Sequence, residues 1–188
     1  MLASPLIAAL LLALAPEKIA WELARGSLQR GLLPSSFVLA TDASPSRFSD
    51  GEMVSSRNVA LPYRLEVAWR RLGPESGRSL HVSVVGGIVL VKSGAVALWS
   101  FSDTSRFAKE GWTRVPGMRT NDAHAIAVEQ DQRTISVSID GVLIKQFGMR
   151  AARGEGRVGV GLKGASGHRT RLYVRSLEVT EGQAPPRK

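Results

Sequence analysis

Trp99 and Phe101 occupy alternate positions in the run Val96-Ala97-Leu98-Trp99-Ser100-Phe101. In an extended chain, residues two apart share a face, so the two rings point one way together, into a core or into a cleft. Turned outward, they form a platform on which a sugar ring can stack. Trp112, beside Gly111, reads instead as a core residue. Retaining glycoside hydrolysis needs two carboxyl groups about 5 Å apart, and Glu-x-Asp-x-x-Glu is one strand motif that carries them. Glu129-Gln130-Asp131-Gln132-Arg133-Thr134 starts that pattern but ends in Thr134 and falls on an expected turn. It is read as a chance match. Gly159-Val160-Gly161-Leu162-Lys163-Gly164 spells G-x-G-x-x-G. A dinucleotide site needs that motif between a parallel strand and a helix N-terminus. Here a further strand follows, so tight sheet packing and a turn account for the glycines. His81, His124 and His168 lie on three separate expected elements and form no ligand-spaced pair. No metal site and no cofactor is assigned.

The bulk composition narrows the class. The 188 residues suffice for one domain with a sizeable core plus a short appendage. Hydrophobic residues make up 44% and charged residues 22%, which is ordinary globular composition. Absence of cysteine rules out disulfides and thiolate metal sites. Twenty-five Lys and Arg against sixteen Asp and Glu give a net charge of +9, a surface that attracts anionic partners. Arg153, Arg157, Arg169, Arg171 and Arg175 are read as a basic docking surface. No helix-turn-helix, RNA-recognition or zinc-finger signature is present, so nucleic acid is not the expected partner.

The N-terminus carries a long uncharged run, including Leu6, Ile7, Leu10, Leu11 and Leu14. As a helix it would reach about 16 Å at 1.5 Å per residue, half the ~30 Å hydrocarbon thickness of a bilayer. It reads as either a cleaved leader or a retained anchor. Leader chemistry is weakened by the lack of Lys or Arg before the core and by Pro16 after Ala13-Leu14-Ala15. Pro16, Glu17, Arg25, Arg30 and Gly31 stand where a helix starts and stops, and Trp21, Ala24 and Leu28 recur at helical spacing. The expectation is therefore a signal-like or membrane-anchoring helical segment over residues 1–31, with Trp21 at headgroup depth where the segment is retained. A linker follows over 32–47, holding one apolar piece, Phe37-Val38-Leu39-Ala40.

Residues 48–181 read as strands. Tyr63, Leu65, Val67 and Trp69 alternate with Arg64, Glu66 and Arg70, the pattern of a strand with one buried and one wet face. Leu80, Val82 and Val84 continue the pattern up to a turn at Gly86-Gly87, and a hairpin is expected across Lys92-Ser93-Gly94. Asp140-Gly141 between apolar runs predicts a two-residue type I′ hairpin. In the last strand the apolar parity slips between Val174 and Leu177, which predicts a bulge at Arg175-Ser176. Eight to eleven strands without a long helix imply an all-β, antiparallel two-sheet jelly-roll sandwich behind the N-terminal apolar/amphipathic helical segment. Residues 182–188 read as a tail.

Tyr63-Arg64-Leu65-Glu66, Gly111-Trp112, the strand from His124, Ile139-Asp140-Gly141, Gly156-Arg157-Val158-Gly159 and the closing Val174-Arg175-Ser176-Leu177-Glu178-Val179 carry a resemblance. The region resembles the concanavalin A-like (laminin-G-like) jelly rolls, in particular bacterial domains related to the 3-keto-disaccharide hydrolase family. That family's Asn-Ser-Gly segment and following acidic strand are replaced here by Glu75-Ser76-Gly77-Arg78 and a strand without carboxylates, so its catalytic residues do not carry over. The laminin-G-like resemblance implies Asp103, Asn121 and Asp122 as rim candidates for calcium. The leading expectation is a non-catalytic interaction module, exported to the periplasm or cell surface. Its N-terminus would hold it at the membrane as an accessory subunit of a larger membrane protein complex. The alternatives are a carbohydrate-binding module of the cell envelope, using Trp99 and Phe101 on a glycan, and a divergent glycoside-acting hydrolase.

Overall fold

A computed structural model of the protein describes residues 19–41, 50–72, 79–92, 94–101, 111–119, 122–149, 154–163 and 170–182. Two seven-stranded sheets dominate it. The first runs in the order β1 (Trp21–Arg25), β4 (Asp50–Ser55), β15 (Gly159–Lys163), β7 (Ser79–Val84), β8 (Gly87–Lys92), β9 (Ala95–Ser100) and β10 (Thr113–Arg114). The second runs β13 (Val142–Gly148), β12 (Thr134–Ile139), β11 (Ala123–Gln130), β6 (Tyr63–Leu72), β16 (Arg171–Glu181), β3 (Phe37–Ala40) and β2 (Ser27–Arg30). A short pair, β5 (Val59–Ala60) with β14 (Glu155–Gly156), stands apart. Neighbouring strands pair antiparallel throughout. The chain is an all-β two-sheet sandwich.

Period-two alternation builds the core. Leu80, Val82, Val84, Val89, Val91, Val96, Val160 and Leu162 of the first sheet face Tyr63, Leu65, Val67, Trp69, Ile126, Val128, Val137 and Leu172 of the second. Each strand's other parity is left outside, so the first sheet exposes a row of polar and aromatic side chains. That outward row becomes the site.

Several sequence expectations hold at the level of single turns. The β12–β13 hairpin turns on Asp140 (φ 50) and Gly141 (φ 80), both positive as type I′ demands. The register of β16 against β6 shifts between Val174 and Ser176, the position of the expected bulge. The β7–β8 turn lies one residue earlier than expected, at Val85 and Gly86, because Val84 pairs with Gly87.

The N-terminal helix is corrected where it can be seen. Residues 21–30 form β1 and β2 rather than a helix, and no helix occurs among the described residues. Gly26, at φ +81, bends the segment so that β1 pairs with β4 of one sheet and β2 with β3 of the other. A side chain there would strike the Ala40 carbonyl and the Gly51 backbone. A short helix gains its stability mainly from packing, and here each half instead gains a ladder of backbone hydrogen bonds at an open sheet edge. Trp21, expected at a membrane surface, packs against the protein core. Leu6, Ile7, Leu10, Leu11 and Leu14 lie outside the described residues. Phe37–Ala40, read as an apolar piece of linker, is β3 with Leu39 fully buried, so the sandwich takes in strands upstream of residue 48.

Candidate functional site

The outward face of the first sheet holds a cleft of about 670 Å³. Trp99 of β9, Phe101 just beyond it and Trp112 just before β10 form one side, at 44%, 64% and 45% exposure. The platform expected of Trp99 and Phe101 therefore opens outward. Trp112 is a correction: it lines the cleft rather than the core, because β10 is the last strand of the sheet and leaves no layer to cover it.

The floor follows from register. Glu52, Gly161, His81, Leu90 and Ala97 lie in one row across β4, β15, β7, β8 and β9. Val54, Gly159, Ser83, Ile88 and Trp99 lie in the next. Ser83 donates its hydroxyl to Glu52 Oε1 at 2.8 Å, and His81 Nε2 lies 3.9 Å from the same oxygen. These contacts cross over β15, and they can do so because β15 has no side chain there. A Cβ built on Gly161 would fall on the His81 ring, and one on Gly159 would fall on the Met53 carbonyl. The G-x-G spacing is thus a slot in the cleft floor. β15 runs antiparallel between β4 and β7, which is no dinucleotide geometry.

Arg25, Lys163 and Arg157 line the side opposite the aromatics, and Lys92 closes one end. Arg157 bonds Glu22 at 2.6 Å and the Ser56 carbonyl at 3.1 Å, which fixes its guanidinium at the rim. Glu52 is the one carboxylate among the described residues lining the cleft. Paired-carboxylate hydrolysis would need a second about 5 Å away. Among the described residues, no group of three or more His, Asp or Glu side chains is placed to hold a metal ion.

The remaining candidates are dispersed. Glu129 pairs with Arg64 on the second sheet, while Asp131 accepts the backbone N–H groups of Arg133 and Thr134 and so caps its turn. Their carboxylates do not converge. Arg171 and Arg175 lie on the exposed face of β16 in the second sheet, whereas Arg157 borders the cleft on the first. The expected basic docking surface is therefore split between the two faces; Arg153 and Arg169 lie outside the described residues, as do Asp103, Asn121 and His168. His124 is buried between the Asp140 carboxylate (Nδ1, 2.7 Å) and the Arg119 carbonyl (Nε2, 2.7 Å). It sits away from the cleft as a tie between the β12–β13 turn and the segment preceding β11.

Sequence reading missed Glu52, His81 and Ser83, and it weighed Trp112 as a platform ring but placed it in the core. His81 and Ser83 were visible as the wet parity of Leu80-His81-Val82-Ser83-Val84, but nothing local tells a solvated face from a cleft floor. Glu52 reaches them across β15, a strand far from both in sequence.

No protein-family model matches the chain, and no curated sequence matches it. Solved structures do. A carbohydrate-binding module, CBM66 from Bacillus subtilis, superposes with a TM-score of 0.62 at 10% identity, covering 88% of this chain and 98% of that one. The Crh5 transglycosylase gives 0.65 at 12% identity over 90% and 80% of the two chains. The carbohydrate recognition domain of Emp47p gives 0.59 at 13% over 90% and 99%. At these identities the likeness shows the fold alone. The sandwich is a concanavalin A-like jelly roll.

Proposed function

We propose that the protein is a glycan-binding jelly-roll module whose binding surface is the cleft on the first sheet. The observation that carries this reading is the set of three exposed aromatic rings, Trp99, Phe101 and Trp112, bordering one cleft whose floor presents Ser83, His81 and Glu52. A sugar has an apolar face that stacks on such rings and hydroxyls that need a few fixed polar partners, the usual composition of a ligand cleft. The carbohydrate-binding module and recognition domain named above share this fold, which supports the reading without supplying it. Cell-surface or periplasmic placement is compatible with glycan binding and is kept as a proposal. The accessory role on a membrane complex has no support from the fold or its neighbours, and residues 21–30 are committed to the sheets.

The test is a glycan array followed by titration calorimetry on the hits, with Trp99→Ala and Trp112→Ala compared against the unmodified chain. Each substitution should weaken binding by about 1–3 kcal/mol, the range for truncating an aromatic contact, with an unchanged circular dichroism spectrum. Binding that survives both substitutions would remove the cleft from consideration.

A further inference from the structure

The second sheet carries a depression of its own on its outward face, with a volume of about 410 Å³. Ala68 of β6 and Ala123 and Ala125 of β11 form its floor, because their short side chains leave the sheet surface low. Arg70, Tyr173 and Arg175 line one side, and Asp140 stands at the other. Register brings the two arginines together. Arg70 pairs with Tyr173 across β6 and β16, and the shift between Val174 and Ser176 leaves Arg175 as the extra residue beside Ala68. Val174 and Leu177 are buried, so Arg175 and Ser176 both face outward. Re-aiming a side chain is what a bulge does. Arg175 thereby becomes a diagonal neighbour of Arg70, at a backbone spacing of about 7–8 Å.

Like charges set this close on one face repel. The same face shows how an arginine is satisfied internally: Arg64, further along β6, is held by Glu66 and Glu129. Arg70 and Arg175 make no ion pair or hydrogen bond with any described residue. Asp140 does not serve them either, since its oxygens take the Ala125 N–H at 2.8 Å and His124 Nδ1 at 2.7 Å.

The geometry points to a second binding site, for the phosphate or sulfate ester group of a small hydroxylated molecule. Each guanidinium presents a fork of parallel N–H donors. One fork fills the two oxygens of a carboxylate, whereas the three free oxygens of a tetrahedral ester accept from both arginines at once. Tyr173 supplies a ring for the apolar side of the ligand's body. The Asp140 carboxylate at the other end rejects a second anion and accepts from hydroxyl groups. This site lies on the opposite sheet from the aromatic cleft and does not depend on it.

The experiment follows the amide and arginine Nε–H signals of the ¹⁵N-labelled full chain by NMR. Glucose 6-phosphate, glucose 6-sulfate, glucuronate and glucose are titrated in turn. Saturable shifts at Arg70, Arg175 and Ala68 are expected with the esters and none with glucose; the tighter ester names the group. Arg70→Gln and Arg175→Gln should each weaken ester binding roughly tenfold or more, the loss of a charge-assisted pair. Ala125→Leu, at an exposed position, keeps both charges but fills the floor, and should weaken binding to a similar degree. Arg171→Gln, on the same strand and face but outside the depression, should leave it unchanged. Circular dichroism checks that each variant is folded. No saturable shift with either ester overturns the site, as do shifts confined to Trp99 and Trp112. Glucuronate binding as tightly as the esters overturns the tetrahedral assignment. Equal losses from Arg171→Gln, or no loss from Ala125→Leu, would mean that surface charge rather than the depression holds the anion.

Discussion

Gln130 shows what one buried polar side chain does in a sandwich. It is fully buried at the end of β11, where its Oε1 accepts from the Tyr63 hydroxyl (2.6 Å) and the Val85 N–H (3.0 Å) and its Nε2 donates to the Val85 carbonyl (2.7 Å). Burial raises the Tyr63 pKa, while its bond to the Val85 backbone works the other way, so the phenol stays protonated and keeps its proton for Gln130. The network joins the β7–β8 turn of one sheet to β6 and β11 of the other. Gln130→Leu leaves the Val85 carbonyl and the phenol's proton without partners, and leaves the Val85 N–H only its longer bond to the Tyr63 oxygen (3.3 Å), so it should cost about 2–4 kcal/mol in urea unfolding. Tyr63→Phe leaves only an acceptor underused and should cost less.

His124 carries a pH dependence. Its burial alone would lower its pKa, but the bonds from Asp140 and the Arg119 carbonyl, with Asp122 nearby, outweigh burial and raise it. A raised folded pKa means the contribution is fully present below the ordinary value near 6.5 and is lost as pH rises through the folded value. Unfolding free energy measured from mildly acidic to mildly alkaline pH should therefore fall across that window. His124→Gln should flatten the fall, and an unchanged slope would remove His124 as its cause.

At the element scale, β15 does two jobs with two glycines. Gly159 passes against the Met53 backbone, which cannot move aside, so Gly159→Ala should destabilise by about 1–3 kcal/mol through overpacking. Gly161 lies under a side chain, His81, which can rotate away. Gly161→Ala should therefore leave the melting temperature close to that of the parent while weakening the glycan binding proposed for the cleft. Thermal unfolding and calorimetry on the same two variants separate the effects; equal behaviour would mean the slot plays no part in the site. The motif was legible as glycines serving close packing rather than a phosphate. Which glycine served the fold and which the cleft depended on what β4 and β7 placed opposite them.

At the scale of the whole molecule, residues 19–30 are sheet edge rather than appendage. β1 covers β4 and supplies Arg25 to the cleft rim, while β2 covers β3. A chain starting at residue 32 loses both edges and leaves two strands with unpaired backbone groups, which invites edge-to-edge association. It should melt at lower temperature and aggregate more readily in light scattering than a chain starting at residue 19. Equal stability of the two would contradict the pairing described here.

Alternation every second residue and paired turn residues are local signals, so the sequence alone determined the strands from Tyr63 onward, the hairpin at Asp140 and Gly141, and the slip near Arg175. Residues 21–30 were ambiguous because Trp21, Ala24 and Leu28 recur at helical spacing while Trp21 and Leu23 also share one face of an extended strand, and only the open edges of two distant strands resolved them. The cleft was less legible still. Trp99 and Phe101 announced a shared face, but whether that face met core or solvent depended on which sheet covered it. Glu52, His81 and Ser83 became neighbours only when β15, drawn from far along the chain, ran between β4 and β7 with glycines at the crossing.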